Sequence, residues 1–361
     1  MNNDRPDLKL SEAMAYIKIH EKLPPINLLH DESIRDSCGR TLAMWWVLVM
    51  RSLPPKEIEF DPKTRDNFGD CLVHYWIKKC LSISPESIMF DKNILDGEGR
   101  TLAMRWVAHV KTVPPKEIMH STSIRDSKGR TMAMHWIQHC NSLPPKEIMH
   151  DIYLADNDGY TLAFYWIKQR RISPPVELFD TPEMCNNRGV TLEMYWIDIT
   201  KKQPPRELLH DPELGDDEGY TPAMHWIMNC KSLPPEFLIH DVELQNDNEL
   251  TMAMLWIAYV GTVPPKEIMH YPELSDKRGV TMEMWWILKY KELPPKELLH
   301  DPTLSDDDGR TPLMWWIISC KSNPPECLLH DLHLEYLIGT NVMNLWKEYH
   351  KEPLPKYIAM C

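Results

Sequence analysis

Histidine, cysteine and clustered carboxylates are the side chains in this sequence whose type and spacing could carry chemistry. His falls at multiples of 30, at His30, His120, His150, His210, His240, His270, His300 and His330. A ladder of imidazoles could offer nitrogen to a metal, but successive rings would stand about one helix-packing distance apart, roughly 10 Å. A metal–nitrogen bond is about 2 Å. These histidines are therefore read as capping the C-terminal carbonyls of a short helix. The nine cysteines form no Cys-x-x-Cys pair, and Cys80, Cys140, Cys230 and Cys320 are read as reduced residues of the core. The acidic turn Ser305-Asp306-Asp307-Asp308-Gly309 has the flavour of a calcium loop. Leu304, Leu313, Met314 and Trp315 do not fit the ligand positions that such a loop needs. No Gly-rich phosphate loop, His-Glu-x-x-His helix, nucleophile elbow or kinase signature is present. The expectation is a protein with no catalytic residues, no metal and no cofactor.

Those residues sit in a chain of 361 with 40 Lys and Arg against 53 Asp and Glu, a net charge of −13. That balance gives no general reason to approach nucleic acid or an anionic membrane. The longest apolar run, Leu42 to Met50, is too short to span a bilayer, and the opening MNNDRPDLKLSEAM has no signal-peptide core. A soluble, intracellular, cytoplasmic protein without membrane insertion is expected.

What positions the chemistry is a repeat of 30 residues without one insertion, occupying 360 residues and leaving Cys361 over. Numbering each repeat from residues 1, 31, 61 and onward, slot 16 is Trp in eleven repeats, from Trp46 to Trp346. Slot 9 is Gly in ten, and slots 24 and 25 are Pro-Pro in ten. Residues 1–30 and 331–361 depart from the pattern and are read as N- and C-terminal capping repeats around ten regular ones in 31–330.

Within a repeat, Asp-x-x-Gly is turn chemistry and the following Thr is a helix N-cap, with Pro222 and Pro312 tolerated directly after it. Slots 13, 16, 17 and 20 then carry an apolar stripe at helical spacing. The Pro-Pro pair is expected to open a second, short helix, halted by prolines such as Pro182, Pro212, Pro272 and Pro302. The fold class follows: all-α, a solenoid of helix-turn-helix repeats.

The run Asp-x-x-Gly-x-Thr-x-x-Met, as in Asp306 to Met314, resembles the turn and first helix of the ankyrin repeat, with Pro312 at the family's proline. The resemblance covers nearly the whole chain. It implies a protein-binding solenoid whose partner lies in the groove between turn tips and first helices. This chain departs from the family in its shorter period, in Trp at slot 16 where the family has a small Ala, and in Met at slot 14 where the family has His. The last departure implies that the family's inter-repeat imidazole bonds are mostly absent.

Taking 100° per residue, slot 15 points away from the buried stripe, with slots 18 and 19 beside it. Slot 15 contains no Lys, Asp or Glu. It reads Trp45, Tyr75, Arg105, His135, Tyr165, Tyr195, His225, Trp285 and Trp315 among its larger residues. Aromatic residues and Arg are the composition of interface hot spots. The turn tips add Arg40, Arg100, Arg130, Tyr160, Tyr220 and Arg310 at slot 10. The expectation is a monomeric scaffold or adaptor that binds another protein, of unknown identity, through this stripe. The alternative is a structural solenoid that acts as a spacer or assembles with itself.

Overall fold

In the computed structural model, residues 12–29, 35–89, 91, 93–320, 322–329 and 342–350 are described. Much of both capping repeats, with His30 and His330, lies outside them. The chain forms two compact units, Met1–Asp180 and Thr181–Cys361. The first holds α1 (Glu12–His20), α2 (Leu42–Met50), α3 (Leu72–Cys80), α4 (Leu102–Val110), α5 (Met132–His139) and α6 (Leu162–Arg170). The second holds α7 (Leu192–Thr200), α8 (Pro222–Cys230), α9 (Met252–Tyr259), α10 (Met282–Tyr290), α11 (Pro312–Cys320) and α12 (Val342–Tyr349). Within each unit every helix packs on the next in chain order, and no strand is present among the described residues. This is the all-α solenoid expected of the repeat.

Most helices start at a Thr that caps them, although α3 starts after Cys71 and Thr161 makes no such bond. Thr131 Oγ1 accepts from the Met134 N–H at 3.3 Å, and the same bond forms at Thr41, Thr101, Thr191, Thr221, Thr251, Thr281 and Thr311. Most helices end at slot 21, where Arg51, Leu81, Lys111, Arg171, Lys201, Lys231 and Lys291 take the left-handed conformation with φ of 50–62°. The second helix shrinks to less than expected. Slots 26–28 form one 3₁₀ turn, as at Arg206–Leu208 and Glu236–Leu238, or only a hydrogen-bonded turn, as after Pro145. Its purpose in packing is to sink slot 28, where Ile88, Ile148, Leu208 and Leu298 are fully buried.

The first turn supplies the other joint. Gly129, with φ of 78°, lies where a Cβ would come within 2.6 Å of the Asn157 backbone nitrogen, so no L side chain fits. That closeness lets the Asn157 N–H donate to Lys128 O at 3.0 Å, a bond between neighbouring turns that recurs from Ser127 to Glu98 and from Asp307 to Arg278.

The buried stripe is broader than slots 13, 16, 17 and 20. In α5, Met132, Ala133, Met134 and Ile137 are at most 1% exposed, so slots 12, 13, 14 and 17 form the centre of the core. At slot 20, Cys140 is buried, but Cys80, Cys230 and Cys320 are only half-buried against it.

Candidate functional site

The slot 15 residues do not stand outside the fold. Trp45 and Trp46, side by side on α2, are both 8% exposed. Tyr75, Arg105, His135, Tyr165, Tyr195 and His225 are also buried, while Trp285 and Trp315 are half-buried. The expectation of an outward stripe is corrected for a simple reason: each helix has a neighbour beside it and its own turn folded over its first half.

What holds slot 15 is the Asp at slot 6 of the same repeat. One oxygen of Asp126 accepts the backbone N–H groups of Lys128 and Arg130, both at 2.9 Å, and so builds the turn. The other faces His135 Nε2 at 3.0 Å. The same second oxygen takes the Trp45, Trp285 and Trp315 indoles, the Tyr75 and Tyr165 hydroxyls, the Arg105 guanidinium and His225, at 2.5–3.3 Å. All eight Asp residues at slot 6 meet a donor in this way. In the repeat from Asp241, slot 6 is Asn246 and slot 15 is Leu255. There the buried Asn246 Nδ2 has no hydrogen-bond partner.

Slot 30 has an equally specific partner, and it is not a helix C-terminus. His270 Nδ1 lies 2.7 Å from Tyr271 O, which can only accept, so Nδ1 carries the proton. Its Nε2 then accepts from the Thr251 hydroxyl at 2.7 Å, while Thr251 Oγ1 caps α9. His120, His150, His210, His240 and His300 repeat this relay. Burial lowers the pKa of all six rings. Imidazole bonds are thus a regular feature of the repeat, made from slot 30 instead of slot 14.

Three further groups titrate away from their ordinary ranges. Glu193 and Glu283 replace the small residue at slot 13, and burial pushes each carboxyl up to about 7. They lie 3.2 and 3.1 Å from His210 and His300. Burial alone would lower His225, but Asp198 and Asp216, at 2.9 and 3.3 Å, override it and hold its pKa up at about 9. Among the described residues no group of three or more His, Cys, Asp or Glu side chains is placed to hold a metal ion, and no helix is long and apolar enough to cross a membrane.

Slots 6, 11, 15, 16 and 30 are largely engaged within the repeat, and beside them slots 10, 18 and 19 border a cleft in each unit, next to the mostly exposed slots 7 and 8 of the turns. In the first unit a cleft of about 790 Å³ lies between the turn tips Arg40, Asp70 and Arg100 and the helix residues Leu48, Lys78 and Lys79, with Tyr75 and Arg105 as its floor. In the second, a cleft of about 440 Å³ uses the same slots: Tyr220 and Leu250 on the turns, Ala258, Tyr259, Leu288 and Lys289 on the helices, Leu255 and Trp285 below. Of the residues expected to bind a partner, Arg40, Tyr75, Arg100, Arg105, Tyr220 and Trp285 line these clefts. Trp45, His135, Tyr165, Tyr195, His225, Trp315, Arg130, Tyr160 and Arg310 line neither. Slots 18 and 19 supply the residues that were left unnamed.

No family model matches the chain, and no curated protein matches it. Among solved structures it is similar to a complex of a predatory endopeptidase from Bdellovibrio bacteriovorus with an immunity protein. The identity is 18% and the TM-score 0.32, over 38% of this chain and 79% of that one.

Proposed function

We propose that this protein is a non-catalytic scaffold or adaptor of shortened ankyrin-like repeats, cytoplasmic and monomeric, which binds a partner protein along slots 10, 18 and 19. One observation carries the reading: both clefts, in separate units, draw on the variable slots 10, 18 and 19 above a slot 15 floor, while most of the recurring polar slots are consumed in bonds that hold the repeat together. Side chains that differ from repeat to repeat thereby line a concave surface, as a recognition surface requires. The same bookkeeping speaks against catalysis, because the recurring His and Asp side chains have structural partners.

The test is affinity capture with the full chain, its Leu288→Arg and Lys79→Glu variants, and a Val176→Glu control outside both clefts. The proposal expects partners that survive the control and are lost with a cleft variant. Partners lost equally with all three, or with none, would remove it. Light scattering across a concentration series addresses the monomer: oligomers growing with concentration would favour a self-assembling spacer.

A further inference from the structure

We infer that the cleft of the first unit is specific for an acidic peptide segment, whose carboxylates settle on Lys78 and Lys79 beside an apolar residue resting against Phe68. This rests on the protein-binding reading above and names the chemistry of the partner.

Charge supplies the first argument. The cleft's arginines are already neutralised, Arg40 by Asp36, Arg100 by Asp96, and Arg105 by Asp70 and Asp96, and the cleft's remaining carboxylate, Glu98, is itself held by Arg100 and Arg130 at 3.5 and 3.7 Å. Lys78 and Lys79 line the same cleft and are in no ion pair among the described residues. They occupy slots 18 and 19 of one helix, and in no other repeat are both of those slots cationic. The unsatisfied positive charge is therefore local. Lys and Arg number 24 and Asp and Glu 24 in residues 1–180, against 16 and 29 in 181–361. No broad basic surface exists from which these lysines could be a random draw. A chain with net charge −13 repels an extended polyanion such as nucleic acid, but a short acidic segment needs only the local field.

The second argument is the lip of the cleft. Phe68, at the tip of its turn, is 58% exposed. Its carbonyl oxygen would be 1.7 Å from a Cβ at position 97, which is glycine. Slot 7 is Gly in no other regular repeat, so this close approach of two turns is particular to the cleft. It sets an aromatic ring and the half-buried Leu48 on the same rim as the lysines. An acidic side chain next to an apolar one matches both features.

The experiment is fluorescence anisotropy with the full chain and short labelled peptides alternating Glu with Phe, or Gln with Phe, using a single-stranded oligonucleotide as competitor. The Glu peptide should bind and weaken as ionic strength rises. The Gln peptide, and the Glu peptide on the Lys78→Glu/Lys79→Glu variant, should each bind about tenfold more weakly or worse. Circular dichroism of that variant should be unchanged, since Lys78 is exposed and Lys79 is only half-buried. Equal binding of the Gln peptide, undiminished binding by the double variant, no binding of the Glu peptide, or displacement by the oligonucleotide would each overturn the proposal. Loss of captured partners on Leu288→Arg would still stand in any of those cases, so the two readings fail separately.

Discussion

The Tyr165 hydroxyl donates to Oδ2 of Asp156 at 2.7 Å, nine residues back across the turn. Asp156 Oδ1 is taken by the Asp158 and Tyr160 N–H groups, so the carboxylate ties turn to helix. Burial and the neighbouring carboxylate both raise the phenol's pKa, which keeps it a donor at any ordinary pH. Tyr165→Phe should cost about 1–3 kcal/mol, the range for leaving a buried charged acceptor without its partner. Denaturant melting checks it. A cost near zero would mean that water replaces the hydroxyl and that slot 15 is less enclosed than its burial indicates.

The slot 16 indoles provide a gain-of-stability test. Trp46, Trp106 and Trp256 donate to Ser52, Thr112 and Thr262 six residues on, at 2.9–3.0 Å. Trp166 has Ile172 at that position, and its Nε1 is buried without a partner. Ile172 is itself largely exposed. Ile172→Ser should therefore stabilise the chain by about 0.5–1.5 kcal/mol. Melting temperatures of the two proteins, compared directly, decide it, and a fall on substitution would refute the pairing.

The cleft of the second unit opens where the slot 6 bond is missing, at Asn246 and Leu255. Asn246→Asp with Leu255→Tyr should restore that bond, raise stability, and narrow the cleft by placing a ring over its floor. A double-mutant cycle should show favourable coupling of about 0.5–3 kcal/mol. Additive single effects would mean that the two side chains do not meet.

Stability should fall at both ends of the pH range. The six slot 30 rings have folded pKa values below the ordinary 6.5, so the folded state prefers them neutral. Their contribution is complete above 6.5 and is lost as pH falls below it. His225 has the opposite sign. With a folded pKa of about 9, its contribution is complete below 6.5 and is lost as pH rises towards 9. Glu193 and Glu283, raised to about 7, prefer the protonated form and finish their own loss near that value. His225→Gln should therefore flatten the decline between pH 7 and 9 and leave the acid decline in place. Hydrogen exchange in α8 across that range is the measurement, and an unchanged alkaline slope would contradict the assignment.

The period, the helix start at Thr and the turn at Asp-x-x-Gly were legible in the sequence, because each depends on neighbours in the chain. The phase of the helix was not. Helical periodicity assumes water on the face opposite the core, whereas here the turn covers slot 15, and eight of the polar slot 15 residues are supplied with a carboxylate. A sign of this was present: Asp at slot 6 always accompanies Trp, Tyr, Arg or His at slot 15, while Asn accompanies Leu255 in one repeat and Tyr195 in another. His270 was misassigned for a related reason. Its partner, Thr251, is 19 residues earlier, too far for any local capping rule to find. Lys78 and Lys79 were passed over as part of a stripe, and only the turns standing opposite them make a cleft.

The joints between turns have one more property. Asn157 Nδ2 reaches Ser127 O at 3.0 Å, Asn67 Nδ2 reaches Ser37 O at 3.2 Å, and Arg35 reaches Arg65 O at 2.9 Å, each across a separation of exactly one period. The backbone bonds between turns join slot 7 to slot 8 whatever the side chains are. Excising residues 121–150 would bring Asn157 against Glu98, the carbonyl that Ser127 now uses, with donor and acceptor in the same register. Such a chain can lengthen or shorten by whole modules through recombination without any joint having to be redesigned, and copy number becomes a heritable variable.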